Sequence, residues 1–376
     1  MTTLFGSAFH ARRVLVTGHT GFKGAWLCEW LLGLGAEVTG LSLPPNTDPS
    51  LFNQLGLARR LRHIIGDIQD PAVFAKALSD GQPDFVFHLA AQALVRESYL
   101  RPCETFNVNA MGTLHLLDAL RESKKPCVAI LVTTDKCYEN REWLHGYREA
   151  DRLGGRDPYS ASKAAAELII ASYRQSFFQD HPVKLASCRA GNVIGGGDWA
   201  AHRIVPDCIR ALQARQPIPV RHPLATRPWQ HVLEPLSGYL WLAASLADPK
   251  LRRCDLSLLA APFNFGPNRD ANRTVADLVE EVLRHWPGKW LDKSDPKAPH
   301  EAGFLQLSID KAFALLRWFP VWSFREAVAE TVEWYRDAGQ SKSAKEIQKR
   351  TRAQIAQYIQ RAAKAQAPWT QPGPRP

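Results

Sequence analysis

A tyrosine and a lysine stand four residues apart, at Tyr159 and Lys163, inside a segment with helical periodicity. Four residues make about one helical turn, so both side chains would face the same cleft. A lysine ammonium beside a phenol lowers the pKa of the phenol, which lets tyrosine act as a base near neutral pH. The pair therefore predicts a catalytic tyrosine that removes a proton and a lysine that assists it.

A second polar group lies before this helix, where Thr134, Asp135 and Lys136 follow an apolar run. The threonine hydroxyl could share a substrate hydroxyl with Tyr159, and Asp135 could deliver a proton. In an alternative interpretation, Asp135 only caps the end of a strand by accepting hydrogen bonds from nearby N–H groups. We expect catalytic roles for the threonine and the aspartate.

A glycine-rich stretch from Gly18 to Gly24 separates the first apolar run from the first helical pattern. Glycines at positions 18, 21 and 24 would let the backbone turn tightly and approach a pyrophosphate, whose charge the amino end of a helix favours. Alternatively, the glycines only permit a tight turn between a strand and a helix. The strand–helix–strand pattern around them favours a dinucleotide site.

Two later strand ends fit the same site. Asp67 and Ile68 close the third apolar run, where a carboxylate and an amide can meet an adenine. Small residues close the fourth run, where a cofactor can lie near the backbone. We expect His88, which precedes them, to be a packed strand residue. The residues predicted to bind the cofactor are Gly18, Gly21, Phe22, Lys23, Gly24, Asp67, Ile68, Leu89, Ala90, Ala91, Tyr159 and Lys163.

The end of the second apolar run lacks an expected feature. Dinucleotide-binding folds commonly place an acidic residue there, which binds the ribose hydroxyls of NAD. This sequence reads Gly-Leu-Ser-Leu-Pro over residues 40–44, with neither a carboxylate nor an arginine. The spacing alone therefore does not decide between NAD and NADP.

Short apolar runs alternate with helical patterns through the first half of the chain. This alternation predicts an α/β fold, a Rossmann-like doubly wound parallel sheet with helices on both faces. From about Gly191 the pattern gives way to Gly- and Pro-rich loops, which predicts a smaller C-terminal substrate-binding lobe at the carboxyl edge of the sheet. The predicted strands are 13–17, 37–43, 63–68, 84–89, 128–133 and 183–188, and the predicted helices are 24–34, 71–78, 103–121 and 159–178.

We expect a dinucleotide-binding domain over residues 1–190, a substrate-binding lobe over 191–340 and a basic tail over 341–376. Between Ser341 and Lys364 the tail carries seven Lys and Arg against one Glu, with sparse apolar residues at helical spacing. We expect a solvated terminal helix that catalysis does not need, with contact to a partner or polyanion as the alternative. Disorder is expected over Pro368–Pro376.

The composition narrows the class of protein. Of 376 residues, 45% are hydrophobic and 22% charged, as in a globular protein. Most of the net charge of +10 lies in the tail, and no recognisable nucleic-acid-binding module accompanies it. We therefore expect no nucleic-acid partner. Seven scattered cysteines without a CxxC pair argue against a disulfide scaffold and a metal site. No apolar run is long enough for a membrane span and no leader is visible, so we expect no membrane partner and a cytoplasmic location.

Five stretches together resemble the nucleotide-sugar 4,6-dehydratases of the extended short-chain dehydrogenase/reductase type, over roughly residues 12–335. The GxxGxxG spacing of the glycine loop is similar to that of the extended short-chain dehydrogenases. The last two stretches resemble the CDP-glucose branch in particular. The five are TGHTGFKG at 17–24, HLAAQALVRESY at 88–99, TDKCYEN at 134–140, RAGNVIGGGDW at 189–199 and RPWQHV at 227–232.

The resemblance implies NAD as the cofactor and a reaction without net redox change. CDP-glucose would be oxidised at C4, lose water across C5 and C6, and regain the hydride at C6, giving CDP-4-keto-6-deoxyglucose. Tyr159 would take the proton of the 4-hydroxyl, and Asp135 would protonate the departing 6-hydroxyl. In the dTDP-glucose relatives an acidic residue takes the C5 proton at the position of Lys136. A neutral Lys136 is therefore expected as this base, and a charged Lys136 that steadies the enolate is the alternative.

The resemblance also implies a CDP-hexose partner, a homodimer or homotetramer, and a set of substrate-binding residues. Two arginines in that set would grip the diphosphate, unless they are surface residues of loops. Alternatives are a dTDP- or GDP-hexose 4,6-dehydratase, a UDP-sugar 4-epimerase or decarboxylase, and a regulator that binds NAD without turnover. An epimerase does not need the acid pair at 135 and 136, and such regulators commonly lose the tyrosine or the lysine. The implied substrate-binding residues are Gln92, Asn192, Arg203 and Arg227.

Overall fold

A seven-stranded parallel sheet forms the centre of the chain in a computed structural model that describes residues 4–295, 303–341 and 343–371. The strands in chain order are β1 (Arg13–Thr17), β2 (Glu37–Ser42), β3 (Arg62–Ile65), β4 (Phe85–His88), β5 (Cys127–Val132), β6 (Val183–Ala190), β7 (Val193–Ile194), β8 (Ile218–Val220), β9 (Thr226–Pro228), β10 (Gln230–His231), β11 (Pro262–Phe265), β12 (Asn272–Thr274) and β13 (Trp290–Asp292). Seven of them form the main sheet in the order β11-β6-β5-β4-β1-β2-β3. The six predicted strands are all present, although β3 ends at Ile65, so that Asp67 and Ile68 lie in the following loop.

The helices connect these strands and cover them. In chain order they are α1 (Phe22–Gly33), α2 (Leu51–Gln54), α3 (Pro71–Gly81), α4 (Val95–Leu100), α5 (Pro102–Phe106), α6 (Gly112–Arg121), α7 (Pro158–Phe177), α8 (Ile204–Gln213), α9 (Leu233–Ala247), α10 (Leu256–Leu259), α11 (Val275–His285), α12 (Asp310–Leu316), α13 (Phe324–Gln340) and α14 (Ala344–Lys364). Short 3₁₀ turns occur between several of them.

The sheet carries a core on each face, which confirms the doubly wound α/β prediction. All six residues of β5 are buried, as expected for a strand covered on both sides. Alternate strand residues point to opposite faces. Val128 and Ile130 pack in the same core as α1 and α9, whereas Ala129 and Leu131 pack in the core of α3, α6 and α7.

The helix predicted over 103–121 is present, although it is not α-helical throughout. Between α5 and α6 the chain forms a π-helical segment, Asn107–Met111. Within it the side chain of Asn109 accepts from the backbone N–H of Gln92 and donates to the hydroxyl of Ser162. These bonds to a loop and to a neighbouring helix give a local reason for the irregular turn.

Three small two-stranded sheets lie in the second half of the chain: β10 with β7, β12 with β9, and β13 with β8. The seventh strand of the main sheet, β11, also comes from this half and pairs in parallel with β6. The lobe and the sheet are thus joined through a shared strand. The domain boundaries at residues 190 and 340 stay predictions.

The C-terminal helix is present, but the expectation that it is solvated is wrong. Tyr358 of α14 is fully buried, and its ring meets Trp30 of α1 at 5.9 Å. Trp369, in a 3₁₀ turn that follows, stacks on Phe5 at 5.0 Å. Disorder over 368–371 is therefore contradicted, and residues 372–376 lie outside the described part. The tail completes the core on the α1 face of the sheet.

Part of the tail's positive charge is neutralised within the fold. Arginines of α14 pair with carboxylates of α1 and α13, namely Arg352 with Glu29, Arg350 with Glu333 and Arg361 with Glu326. These pairs remove much of the reason to assign the tail to a polyanion.

Among residues 4–295, 303–341 and 343–371, no helix has both the length and the apolar character that a membrane crossing requires.

We expect Tyr358→Ala to lower the free energy of unfolding by about 3–5 kcal/mol, because it removes a buried aromatic ring from the contact between α14 and α1. Chemical denaturation of the full chain measures the change. The exposed Lys349 on the same helix gives the control, since Lys349→Ala should change stability by less than about 0.5 kcal/mol. Equal stabilities for the two variants would mean that the helix does not belong to the cooperative core.

Candidate active site

The glycine loop is tightly packed where it leaves β1. Gly18 has a φ of +73°, and a Cβ there would lie 2.7 Å from the backbone nitrogen of Ala90. A Cβ on Gly24 would lie 2.2 Å from the carbonyl oxygen of Gly18. These two glycines are therefore required by the turn itself, as the alternative interpretation of the stretch supposed.

Gly21 has a different surrounding. It caps α1 without a side-chain hydrogen bond to the helix, and a Cβ there would meet only the carbonyl oxygen of Gly18 at 3.4 Å. The amino end of this twelve-residue helix thus carries no side-chain cap, which leaves it suited to a pyrophosphate. The small residues Ala90 and Ala91 follow β4 beside this loop. The residues present fit a dinucleotide at the carboxyl edge of the sheet.

The other predicted cofactor residues lie around this loop. Phe22 and Lys23 begin α1, and Leu89 follows β4 with its N–H donating to the carbonyl of Thr17. Ile68 is buried, while Asp67 accepts from the backbone N–H of Gln69 at 2.9 Å. Their contacts with a cofactor stay predictions.

His88 is a packed strand residue, as expected. Its Nδ1 lies 2.8 Å from the hydroxyl of Thr17, and its Nε2 lies 3.4 Å from the hydroxyl of Thr113. Burial lowers the pKa of His88 to about 3, with a smaller contribution from Lys163. Both ring nitrogens are used inside the protein, so His88 is not placed for proton transfer to a substrate.

The pair Tyr159 and Lys163 lies on the first turns of α7, with both side chains buried. Pro158 begins the helix, and the Asp157 carboxylate caps it by accepting from the N–H of Ser160 at 2.9 Å. The cap fixes the start of the helix one residue before the tyrosine. The helix therefore presents the pair in the geometry that the spacing predicts.

The expected direction of the Tyr159 pKa is wrong for this structure. Burial raises the pKa of Tyr159 to about 12, although the hydroxyl of Thr134 and the charge of Arg203 lower it. Lys163 donates to the carbonyl of Val132 at 3.4 Å, and burial lowers its own pKa to about 8. Desolvation of the phenolate therefore outweighs the lowering by Thr134 and Arg203.

An ion pair that the sequence analysis missed lies one helical turn after Lys163 on α7. Glu167 of α7 pairs with Arg189 of β6 at 2.8 Å, and both side chains are buried. Glu167 also accepts from the hydroxyls of Thr133 and Ser187. Burial alone would raise the pKa of Glu167, but Arg189 and these hydroxyls hold it below its usual value.

The group at the end of β5 is contiguous with Tyr159. Thr134 donates to Asp135 Oδ1 at 3.0 Å, and Lys136 Nζ donates to the same oxygen at 3.1 Å. The backbone turn after β5 is capped by Thr134, which accepts from the N–H of Lys136, and Asp135 accepts from side chains. The structure therefore does not support the interpretation of Asp135 as a simple cap.

Asp135 is fully buried, and its second oxygen, Oδ2, has no hydrogen-bond partner within the described ranges. A Cβ on Gly191 would lie 2.8 Å from this oxygen. The glycine after β6 thus leaves room beside the carboxylate. Asn192 follows, and its Oδ1 accepts from Lys136 Nζ at 3.1 Å, which brings a predicted substrate-binding residue to the predicted catalytic group.

Two further cations approach the same group. Arg203 donates to the Asp198 carboxylate at 2.9 Å and is close enough to Tyr159 to lower the pKa of the phenol. Lys23 Nζ lies 5.7 Å from the centre of the Tyr239 ring. Burial, followed by the charges of Arg203 and Lys163, lowers the pKa of Lys23 to about 8.

The remaining predicted substrate residues, Gln92 and Arg227, make hydrogen bonds within the protein. The Gln92 side chain donates to the carbonyl of Leu94 and to the hydroxyl of Thr105. Arg227 of β9 is mostly buried and donates to the carbonyl of Thr226 at 2.8 Å. Binding of a substrate by these two residues stays a prediction.

Sequence reasoning missed Glu167, Arg189, Asp198 and Tyr239. One signal was available for Glu167, because it stands four residues after Lys163 on the same helical face. Tyr239 comes from α9, and its buried hydroxyl has no partner within the part of the chain that the structure describes. Its nearness to Lys23 depends on the tertiary fold alone.

Comparison with known sequences finds nucleotide-sugar 4,6-dehydratases that are similar to the chain. The sequence profile of one family, GDP-mannose 4,6 dehydratase, matches residues 15–331. The CDP-glucose 4,6-dehydratase of Salmonella typhimurium is 43% identical over 335 residues, which cover 87% of this chain and 91% of that protein. The probable dTDP-glucose 4,6-dehydratase of Sinorhizobium fredii is 27% identical, over 87% of this chain and 93% of that protein.

Solved structures of this fold are similar to the chain. DesIV, a dTDP-glucose 4,6-dehydratase from Streptomyces venezuelae solved with NAD bound, has a TM-score of 0.73 at 24% identity, covering 88% of this chain and 99% of its own. The UDP-glucose 4-epimerase of Thermotoga maritima, solved with UDP-glucose, has a TM-score of 0.71 at 22% identity, covering 86% and 98%. At this identity the likeness establishes the Rossmann-like fold.

We expect Glu167→Ala to lower the free energy of unfolding by about 3–5 kcal/mol, because Arg189 would remain buried without its carboxylate. The lowered pKa of Glu167 means that its contribution is present above the usual carboxyl range and is lost as the pH falls. The stability difference between the two proteins should therefore shrink below roughly pH 4.

Urea denaturation across pH measures this difference. Glu122→Ala is the control, since its side chain is 71% exposed and pairs only at the surface, where about 0–1 kcal/mol is expected. A difference for Glu167→Ala that is small, or that does not change with pH, would contradict the assigned role of the ion pair.

Proposed function

The chain belongs to the nucleotide-sugar 4,6-dehydratases, a family of hydro-lyases on the extended short-chain dehydrogenase fold, and we propose that it converts CDP-glucose to CDP-4-keto-6-deoxyglucose and water. The observation that carries the proposal is the contiguous group of Tyr159, Thr134, Asp135, Lys136 and Asn192. The relative at 43% identity, a CDP-glucose 4,6-dehydratase, supports the choice of nucleotide.

NAD is the cofactor we propose for the glycine loop. The uncapped amino end of α1 would hold the pyrophosphate, and the space over Gly21 would admit it. When bound, NAD supplies a hydride acceptor for C4 and the same hydride for C6. The solved dehydratase of similar fold that holds NAD supports this choice.

Tyr159 is proposed to take the proton of the 4-hydroxyl. With a pKa raised to about 12, the phenol is protonated at neutral pH. The phenolate base must therefore form when the ligands bind. Thr134 and Arg203 already stabilise the phenolate. Additional positive charge near the ring would bring the pKa towards the working range.

Asp135 and Lys136 are proposed to act together in the loss of water. Transfer of one proton from the Lys136 ammonium to Asp135, across their 3.1 Å contact, gives a neutral amine and a carboxylic acid. The amine can take the proton from C5, and the acid can protonate the hydroxyl that leaves C6. Both groups then return to the charged pair, so protons balance over the step. An epimerase has no use for this pair, which weighs against the 4-epimerase alternative.

Asn192 and Arg203 are proposed to bind the substrate, with Gln92 and Arg227 as further contacts. Asn192 holds Lys136 and lies at the end of β6, beside the open space at Gly191. The guanidinium of Arg203 suits a diphosphate, and Asp198 fixes one of its nitrogens. The nucleotide would then lie along the lobe, with its sugar over the acid pair.

A homodimer is the proposed assembly. Apolar side chains are exposed on neighbouring helices, with Phe106 of α5 at 37%, Met111 at 41% and Leu168 of α7 at 60%. The same face on a second copy would cover them, as an interface with twofold symmetry requires. The proposed location is the cytoplasm, which the seven free cysteines support.

We expect Leu168→Glu to convert the dimer to a monomer, because a charge would be buried in the interface. Light scattering coupled to gel filtration measures the mass. Leu258→Glu is the control, since Leu258 is 47% exposed on α10, away from these helices. A monomeric wild type, or a variant that stays dimeric, would contradict the assigned face.

Substrate choice tests the function directly. Purified protein with NAD should turn over CDP-glucose and show little activity with dTDP-glucose, GDP-mannose or UDP-glucose. The 4-keto-6-deoxy product absorbs near-ultraviolet light in alkali, which gives the assay. Equal or faster turnover of another nucleotide sugar would reject CDP-glucose as the substrate, and a 4-epimer as the product would reject dehydration.

The separate roles proposed for Tyr159 and Asp135 predict that their variants stop the reaction at different steps. Tyr159→Phe should lower turnover by about 10²–10⁴-fold and leave the cofactor oxidised, because the proton of the 4-hydroxyl is not removed. Asp135→Asn should still allow oxidation at C4, so reduced cofactor accumulates with a 4-keto hexose. Single-turnover absorbance at the NADH band distinguishes the two. An Asp135→Asn enzyme that binds substrate but gives no NADH signal would place Asp135 in the first step.

A further inference from the structure

The proposed reaction adds a proton at one group of the site and removes one from another. Oxidation at C4 gives the hydroxyl proton to Tyr159. Asp135 then gives a proton to the hydroxyl that leaves C6, while Lys136 takes the C5 proton and returns it to C5 when the hydride reaches C6. After one turnover Tyr159 therefore holds one proton more than before, and the pair of Asp135 and Lys136 holds one fewer.

The next turnover can begin only when Tyr159 has lost this proton and the pair has regained one. The groups concerned are shielded from water, since Tyr159 is 8% exposed, Thr134 5% and Asp135 0%. Burial restricts exchange of protons with the bulk solvent. A path inside the protein is therefore favoured.

Thr134 connects the two groups. Its hydroxyl donates to Asp135 Oδ1 at 3.0 Å, and this direction is fixed because an ionised carboxylate can only accept. The oxygen of Thr134 keeps lone pairs with which it can accept from the phenol of Tyr159. If each proton moves one step along this chain, Thr134 ends by donating to the phenolate. The lowering of the Tyr159 pKa by the Thr134 hydroxyl agrees with that arrangement.

Three other charged groups near Tyr159 are poor proton acceptors. Arg203 is always protonated, and Lys163, with a pKa of about 8, holds its own proton at neutral pH. Both oxygens of Asp157 already accept hydrogen bonds at the start of α7. Asp135, by contrast, has one oxygen, Oδ2, without a hydrogen-bond partner within the described ranges.

We propose that Thr134 relays one proton from Tyr159 to Asp135 in each turnover. The O–H bond of Tyr159 breaks as one forms at Thr134 Oγ1, and the O–H bond of Thr134 breaks as one forms at Asp135 Oδ1. Tyr159 becomes the phenolate, Asp135 becomes the acid, and Lys136 stays a neutral amine, which are the forms that the next turnover uses. Oxidation at C4 thereby supplies the acid for dehydration. This inference rests on the proposed function and gives Thr134 a role beyond contact with the sugar hydroxyl.

The test is the pH dependence of kcat with CDP-glucose for wild type, Thr134→Val and Thr134→Ser. Thr134→Val removes the hydroxyl and should lower kcat by about 10²-fold at neutral pH. Tyr159 must then lose its proton to solvent, and the phenolate fraction rises about tenfold per pH unit below the pKa of the phenol. The ratio of wild-type to Thr134→Val kcat should therefore fall about tenfold per unit between about pH 7 and 9. Thr134→Ser keeps a hydroxyl and should follow wild type.

A residue that only holds the sugar hydroxyl would lower kcat, or raise KM, by the same factor at every pH. A ratio that stays constant with pH would thus overturn the proposal. So would a Thr134→Val enzyme as active as wild type, or a folded Thr134→Ser enzyme that behaves like Thr134→Val. The control is Thr39→Val on β2, which makes the same change away from the site and should match wild type at each pH.

Thermal melts show whether each variant is folded. Asp135→Asn, which removes the acceptor of the relay, gives the test if Thr134→Val does not fold. Reduced cofactor should still accumulate in it, at a single-turnover rate that rises about tenfold per pH unit over the same range, and a rate independent of pH would overturn the relay.

The two levels of the proposal fail differently. A wild type that forms no dehydrated product from CDP-glucose would reject the proposed function and the relay with it. A wild type that dehydrates CDP-glucose, with a kcat ratio to Thr134→Val that does not change with pH, would reject the relay alone.

Discussion

The buried charge of Glu167 constrains the whole catalytic edge of the sheet. A carboxylate between α7 and β6 is stable there only because Arg189 and two hydroxyls surround it. Arg189 donates in turn to the hydroxyl of Tyr138, which donates to Asn264 of β11. One network thus fixes the helix that carries Tyr159, the turn after Asp135, and the strand that joins the lobe to the sheet.

The local parts of this arrangement could be predicted from sequence, because strand periodicity, the glycine loop and the tyrosine–lysine spacing are each set within a few residues. The contacts that decide the electrostatics could not be predicted in this way. Arg189 and Tyr239 reach the site from distant segments, and burial raises the pKa of Tyr159 where spacing alone suggested the opposite. The buried tail was missed for a related reason, since its apolar residues are sparse and complete a surface formed by α1.

The active site concentrates cations around one carboxylate. Lys23, Lys136, Lys163 and Arg203 approach Asp135 and Tyr159 from four different elements. Burial lowers the pKa values of Lys23 and Lys163, and for Lys23 the charges of Arg203 and Lys163 lower it further. Such a site is matched to ligands that carry diphosphates, because each phosphate relieves the repulsion that folding has imposed.

The stacking of Trp369 on Phe5 also bears on how the chain reaches its final form. The two rings come from opposite ends of the described chain, so this part of the α1 core cannot close during synthesis until residue 369 has left the ribosome. Until then Trp30 lacks one of the rings that cover it, and the nascent chain leaves part of this aromatic core exposed. The same proximity means that residues 5 and 369 could be joined by a short linker and the chain reopened at a surface loop, giving a circular permutant with the same core.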